Sequence, residues 1–383
     1  MTVDPIDREL LVNALRGVAD EMAVSLVRAS YSNVVRDHLD FSTALFDRHG
    51  QQVVQGTCLA AQLGSLPFAM RAILKWFPEG LDPGDVVLTN DPFLGGATHL
   101  PDFVTASPLF YEDDLLGYAV ILAHKLDIGG ASAGGLAMNS PDIFHEGIRL
   151  PPFKIMTGGV VSESMLGLIG ANVRVPEKVL GDVRAQLAAL HAGQQSFLEL
   201  TARFGRDVMV HGMDAILSYS EAVVRQRLSE LPDGKASWTE YLDGIMPDGS
   251  SVPVEVAVEI SGDRLIVDYT SMPSHLPIAA NATICNTASV ALFALAVLVD
   301  RDVPVNDGFN RCLDVRSTPG TIANATYPAA VGSRGITLYR IWDALAGALG
   351  KLSPERVVAG GDGGSDIFVF SGKRPDGSSF VLT

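Results

Sequence analysis

Two His-x-x-Asp pairs, His99/Asp102 and His124/Asp127, bracket a stretch that has few ways to fold. Between them lie two apolar runs, Phe103–Tyr111 and Leu116–Ala123, separated by Glu112-Asp113-Asp114. Two such runs around an acidic turn predict a β-hairpin. A turn centred on Asp113 and Asp114 sets Phe103 opposite His124, and antiparallel pairing carries both His-x-x-Asp pairs to one end of the hairpin. Two imidazoles and up to two carboxylates then converge, the donor set of a divalent metal that keeps an open coordination position. Gly95-Gly96 and Gly129-Gly130 flank the pairs and suit places where backbones must approach closely. Taken singly, each pair also fits a His that caps a loop and an Asp that bonds its own turn. It is the folding together of two pairs that favours a metal.

The remaining chain supplies the frame. With 383 residues, 47% hydrophobic and 19% charged, the sequence has enough apolar material for two or three domains. A net charge of −16 argues against nucleic acid or an anionic membrane surface as main partner, since both require clustered Lys and Arg. Cys58, Cys285 and Cys312 are far apart and form no C-x-x-C, as expected of reduced thiols in a cytoplasmic protein. The opening residues M-T-V-D-P-I-D-R-E-L hold no apolar signal core. The uncharged run Ala279–Val299 is interrupted by Asn281, Thr283, Asn286, Thr287 and Ser289, so its continuous apolar part is too short to span a bilayer, and it reads as a buried core helix.

In chain order, Pro5–Ser30 has helical spacing, and Phe41–Phe46 with Gln52–Gln55 forms a hairpin around D-R-H-G. The cluster Arg36, Asp37, His38 and Asp40 just before it is either a site edge or a solvated turn with ion pairs. A helix over about Phe68–Phe77 and a strand at Val86–Thr89 lead into the histidine stretch. H-E-G-I-R-L-P-P follows it, with Glu146 and Arg149 as polar groups in a proline-stiffened loop. Pro176–Leu231 is helical, divided at Gly205 and Gly212. Val252–Ile260 and Leu265–Tyr269 form a second hairpin, Ile284–Asp300 and Ile336–Leu349 are helices, and Cys312–Arg316 is a strand. The expected class is α+β: mixed sheets and hairpins around the metal-site hairpin, a helical layer, and a C-terminal α/β part. The expected division is 1–175, 176–232 and 233–383. The closing hairpin has so short a second strand that the chain is expected to be C-terminally incomplete. There is no G-x-x-x-x-G-K-[ST] phosphate loop, and the glycine-rich G-G-D-G-G-S-D at Gly360 opens no dinucleotide-type helix.

These segments carry a resemblance. D-F-S-T-A-L-F-D, L-G-S-L-P, N-D-P-F-L-G-G-A-T-H-L-P-D, A-H-K-L-D-I-G-G, E-G-I-R-L-P-P, the N-V-R-V-P-E-K-V-L-G-D-V-R-A-Q-L-A-A run and V-P-V-N-D-G appear in order over nearly the whole chain. The chain resembles the hydantoinase B/oxoprolinase family, which includes subunits of acetone and acetophenone carboxylases. The resemblance implies an ATP-dependent hydrolase of cyclic amides such as hydantoins, 5-oxoproline or related lactams. It implies an A-type partner subunit that binds ATP, in a heterotetramer or larger, and a divalent metal, Mn or Zn, on this chain. The metal ligands it implies are His99, Asp102 and His124. Asp127 then becomes a carboxylate orienting a ligand histidine, or a general base, and Asn90 and Asp91 position the metal loop. Two departures stand out: Lys125 replaces a frequent second His, and Gln62 replaces the His of H-L-G. Neither removes a proposed ligand, but both leave the substrate and branch open. A ketone carboxylase subunit and a non-catalytic scaffold subunit are the alternatives.

Overall fold

The computed structural model describes residues 4–56, 62–246, 248–299, 303–356, 358–361 and 367–383. Cys58 and most of the glycine-rich run after Gly360 lie outside them. The chain opens with α1 (Pro5–Ala29), whose start is set by Asp4, its carboxylate accepting the Ile6 amide, and by Pro5 in the first turn. A short turn of helix, α2 (Asn33–Arg36), precedes the hairpin β1 (Phe41–Asp47) and β2 (Gln52–Gln55). Then come α3 (Ser65–Trp76), β3 (Val86–Thr89), β4 (Asp102–Tyr111), β5 (Asp114–His124), β6 (Phe153–Thr157) and β7 (Val160–Val161). These strands make one antiparallel sheet in the order β2-β1-β5-β4-β3-β6-β7, so the histidine hairpin occupies its middle.

Helices cover both faces of that sheet, which is why β4 and β5 are apolar without a clear alternation. Phe103, Ala119, Ile121 and Ala123 share a core with α1 and with α5 (Pro176–Phe204), which follows α4 (Glu163–Ala171). Val104, Ala106, Val120 and Leu122 pack with Met70 and Ile73 of α3 on the opposite face. Since side chains alternate along a strand, Asp102 and His124 belong to the α3 face and Lys125 to the α5 face. The Lys125 ammonium accordingly donates to Gln186 of α5.

The register corrects the sequence reading by one residue. Asp102, not Phe103, lies opposite His124. The two-residue turn is Glu112-Asp113, with Glu112 at φ 54°, and a register shift between Leu109 and Phe110 absorbs one further residue. The consequence favours the site, because a carboxylate and an imidazole become direct cross-strand neighbours.

The second half builds on α6 (Arg206–Ser229). Gly205 separates α5 from α6, but Gly212 does not divide the helix as expected. A Cβ at Gly212 would lie 2.0 Å from Leu11 Cδ2, so this glycine marks close packing of α6 on α1 instead. A four-stranded sheet follows in the order β11-β10-β9-β8, from β8 (Gly234–Leu242), β9 (Val252–Ser261), β10 (Arg264–Tyr269) and β11 (Leu313–Ser317). The polar β8 went unforeseen: it gains its strand from nine register partners on β9, not from its own composition. Helices α7 (Ile284–Val299) and α9 (Gly335–Leu352) join this sheet in a second core, with the short α8 (Asp307–Asn310) between them in sequence. No described helix is long and apolar enough to cross a membrane. Cys285 and Cys312 are free and buried, and burial pushes both thiols up to about 11. The hairpin β12 (Phe370–Lys373) and β13 (Ser379–Leu382) completes the description.

Candidate metal centre

His124 ends β5 and Asp102 begins β4, so their shared face and opposed register bring them together. His99 arrives on the preceding turn, closed by the Asp102 amide donating to the His99 carbonyl at 3.1 Å. The two imidazole rings stand 5.1 Å apart between centroids, and His99 Nε2 is 3.6 Å from Asp102 Oδ1. One ligand atom from each of His99, Asp102 and His124 can be chosen so that all lie within 4.8 Å of one another.

Three buried atoms at this point have no hydrogen-bond partner: His99 Nε2, Asp102 Oδ1 and His124 Nδ1. Unpaired buried polar atoms are costly, and three that converge fit a divalent cation held by two imidazoles and a carboxylate. The remaining side-chain polar atoms of His99 and Asp102 are engaged elsewhere. His99 Nδ1 lies 3.2 Å from the Gly332 carbonyl. A carbonyl only accepts, so Nδ1 carries the proton and Nε2 keeps its lone pair. Asp102 Oδ2 accepts from the Thr98 hydroxyl and from Arg334 at 3.4 Å. Arg334 also reaches Asn286, which holds the Thr98 carbonyl. Burial, reinforced by Arg334, lowers the His99 pKa to about 3, so the ring is neutral at pH 7. Burial opposes ionisation of Asp102, but its neighbours, among them the Arg334 guanidinium that donates to it, hold its pKa below the ordinary carboxylate value. A neutral imidazole beside an ionised carboxylate is the protonation state that ligation requires.

The loop beneath His99 is fixed by Asn90. Its amide nitrogen donates to the carbonyls of Leu100 at 2.7 Å and Ile148 at 2.9 Å, and its oxygen accepts from the Leu150 amide at 2.7 Å. Asp91 caps the same loop through the amides of Phe93 and Leu94, while its Oδ2 faces Arg149 at 3.6 Å. Gly96 has φ 68°, and a Cβ there would lie 2.5 Å from the Ala69 amide nitrogen of α3, so only glycine fits. Asp127 stands apart from the expected role. Its carboxylate accepts from the amides of Gly129, Gly134 and Arg174 and from the Arg174 guanidinium, and not from either histidine. It organises the 129–134 loop, and the Gly332 carbonyl takes the place expected of it beside His99.

Both readings of the Arg36–Asp40 cluster find a residue. Arg36 and Asp37 form an exposed ion pair at 3.1 Å. Asp40 turns inward. Extending the β1/β5 register one step beyond Phe41↔Ala123 puts it beside His124, whose amide donates to the Asp40 carbonyl at 3.0 Å. Gln62 donates to the Asp40 carboxylate at 2.8 Å and is itself held by Ser42. Asp40, His124 and Asp102 thus follow one another across three adjacent strands. Thr98, Asn286, Gly332 and Arg334 were not anticipated. Three of the four come from 188 or more residues downstream of Thr98 and carry no local signal beyond the glycines of V-G-S-R-G.

Glu146 is buried beneath the same downstream loop. Burial pushes its carboxyl up to about 7 from 4.5, against the pull of the Gly332 and Val331 amides and of Arg334. With the folded value above the unfolded one, the folded state binds this proton more tightly. Stability is therefore fully present at low pH and is lost as pH rises through that window, by on the order of 3 kcal/mol. The denaturation midpoint of wild type relative to Glu146→Gln is expected to fall between pH 5 and pH 8. A constant difference would show that Glu146 does not titrate there.

Comparison with known proteins agrees with this architecture. The chain is 31% identical to the putative B-type chain of a D-/L-hydantoinase from Pseudomonas sp. (strain NS671), over 97% of its own length and 65% of that protein's. The crystal structure of the ATP-dependent caprolactamase from Pseudomonas jessenii matches with a TM-score of 0.86 and 30% identity, covering 93% of this chain and 62% of that one. Nucleotide-free acetone carboxylase matches with a TM-score of 0.87 over 99% of this chain and 53% of its own, and at 19% identity it shows a shared fold. The chain spans between 62% and 66% of the length of three curated relatives and between 28% and 30% of the length of five others. The profile described as hydantoinase B/oxoprolinase matches residues 4–383, and the chain belongs to that family.

Proposed function

We propose that this chain is the metal-holding subunit of an ATP-dependent enzyme that opens cyclic amides: hydantoins, 5-oxoproline or related lactams. The observation that carries the reading is twofold: His99, Asp102 and His124 bring one donor atom each within 4.8 Å of one another, and each of them keeps a buried atom with no hydrogen-bond partner, His99 Nε2, Asp102 Oδ1 and His124 Nδ1. Family membership and the names of the hydantoinase and caprolactamase relatives support the substrate class.

The chemistry explains why ATP is needed. Ring opening must break amide resonance. Transfer of a phosphoryl group from ATP to the amide oxygen, with ADP leaving, gives an O-phosphorylated imidate to which water can add. The C–N bond then breaks, the ring nitrogen leaves as the protonated amine, and the remaining acyl phosphate hydrolyses to carboxylate and phosphate. A divalent cation, Mn or Zn, held by His99, Asp102 and His124 would supply Lewis acidity toward a carbonyl or a water. The protein's own part is preorganisation. Gly332 fixes the His99 tautomer, Arg334 and Thr98 hold Asp102 in one orientation, and Asn90 keeps the His99 turn in place. Asp40, whose backbone carbonyl accepts the His124 amide and whose carboxylate interacts with Asp102 and His124, is a further carboxylate placed to accept a proton at this site. Asp127, saturated by four donors, does not take that role.

The sequence holds no phosphate loop, so ATP falls to an A-type partner subunit. The isolated chain is expected to show no substrate-stimulated ATPase activity and to gain it on co-purification with that partner. Robust ATP hydrolysis by the chain alone would sink the assignment. The deciding experiment is an ATP-turnover screen of the complex with hydantoin, 5-oxoproline, lactams, and ketones plus bicarbonate. Ring-opened product from a cyclic amide is the expected result. Turnover only with ketone and bicarbonate would move the chain to the carboxylase branch.

A further inference from the structure

Glu146 is almost completely buried, yet among the described residues no cationic side chain forms an ion pair with it. Its Oε1 accepts two consecutive backbone amides, Val331 at 2.7 Å and Gly332 at 2.6 Å. Two amides converging on one carboxylate oxygen fix the orientation of the peptide units that carry them. The same Gly332 residue presents its carbonyl to His99 Nδ1, and Arg334, two residues on, reaches Asp102 and Thr98. The fit leaves little slack: a Cβ at Gly332 would lie 3.0 Å from both Glu146 Oε1 and the Gly135 carbonyl. A chain of contacts therefore runs from Glu146 through the 331–334 loop to two of the three proposed ligands.

We propose that Glu146 is a positioning residue of the cation site: by binding the Val331 and Gly332 amides it aims the Gly332 carbonyl at His99 Nδ1 and so fixes the tautomer that frees Nε2. This inference rests on the metal-site reading above. It concerns the aim of the loop, so an amide oxygen serves as well as a carboxylate oxygen. Glu146→Gln keeps an acceptor for both N–H groups, whereas Glu146→Ala removes it. In the alanine variant the loop is free to move, His99 loses its fixed acceptor, and both tautomers become populated.

The test uses the full chain, with folding of each variant checked by circular dichroism. Long-range proton–nitrogen NMR of the cation-free protein, with His99 assigned through His99→Gln, reads the tautomer directly. Chelator competition with Zn²⁺ and Mn²⁺ reads affinity. Wild type and Glu146→Gln are expected to hold His99 protonated on Nδ1 and to bind the cation alike. Glu146→Ala is expected to show mixed tautomers and about 10–100-fold weaker binding. An alanine variant with a lowered melting point but an unchanged tautomer and affinity would overturn the inference, as would a glutamine variant that falls as far as alanine. Absence of cation binding in wild type would sink the metal-site reading, and the tautomer comparison would still decide the role of Glu146.

Discussion

Replacing His124 with alanine is expected to abolish divalent-cation binding and to lower turnover of the assembled enzyme by about a thousandfold or more, several kcal/mol of transition-state stabilisation. His124 is the cleanest of the three proposed ligands to remove. It ends β5, and its Nδ1 has no hydrogen-bond partner to orphan, so the fold loses little. Asp102→Ala should be equally inactive but also less stable. It leaves the largely buried Arg334 guanidinium without its carboxylate, and breaking a buried pair costs about 3–5 kcal/mol. The neighbouring control is Lys125→Met. That ammonium points through the sheet to Gln186 on α5, so turnover should stay within about tenfold of wild type. Metal analysis and steady-state rates of the three variants decide the matter. A His124→Ala protein that keeps both its cation and its rate would refute the ligand set.

Asn90→Ala should be the most damaging change among residues that are not ligands. One side chain satisfies the Leu100 and Ile148 carbonyls and the Leu150 amide, all deep in the protein. Each buried group left unpaired costs about 1–3 kcal/mol, so for the three groups a total of roughly 3–9 kcal/mol is expected. The thermal midpoint should fall by roughly 5–15 °C. Asn90→Asp is not a rescue, because a carboxylate cannot donate to either carbonyl and would face both. Activity should fall further than stability alone explains, since Leu100 adjoins His99. A midpoint within about a degree of wild type would show that water or a shifted backbone replaces the amide.

The sequence made some of this site legible and hid the rest for identifiable reasons. The His-x-x-Asp pairs and the apolar runs between them predict a hairpin, because period and turn chemistry are local. The register went one residue astray because the turn begins at Glu112 in a left-handed conformation and the strands slip again at Leu109. The left-handed residue of the turn is a glutamate and not a glycine, and Pro108 and Gly117, which flank the slip, do not say how many residues it absorbs. Asp127 looked equivalent to Asp102 by spacing, yet only Asp102 enters the strand. Asp127 falls beyond the end of β5, where the backbone turns toward Arg174. Gly212 looked like a helix breaker, and only the packing of Leu11 against it explains why a glycine persists inside α6. Arg334, Gly332 and Asn286 were beyond any local reading, because their partners lie in the other half of the chain.

That last separation has a consequence for how the protein is made. His99 and the carbonyl that orients it are 233 residues apart. At roughly 5–20 residues per second, the ribosome reaches Gly332 on the order of ten to fifty seconds after His99. During that interval the histidine hairpin can form, but its imidazoles have no fixed tautomer and Asp102 has no arginine. On the proposed metal reading, a nascent chain at that stage would offer a loose, undiscriminating chelator to whichever cation is abundant. Selectivity can be imposed only after the downstream loop docks, so the moment of cation loading, and not affinity alone, would decide which cation the finished protein carries.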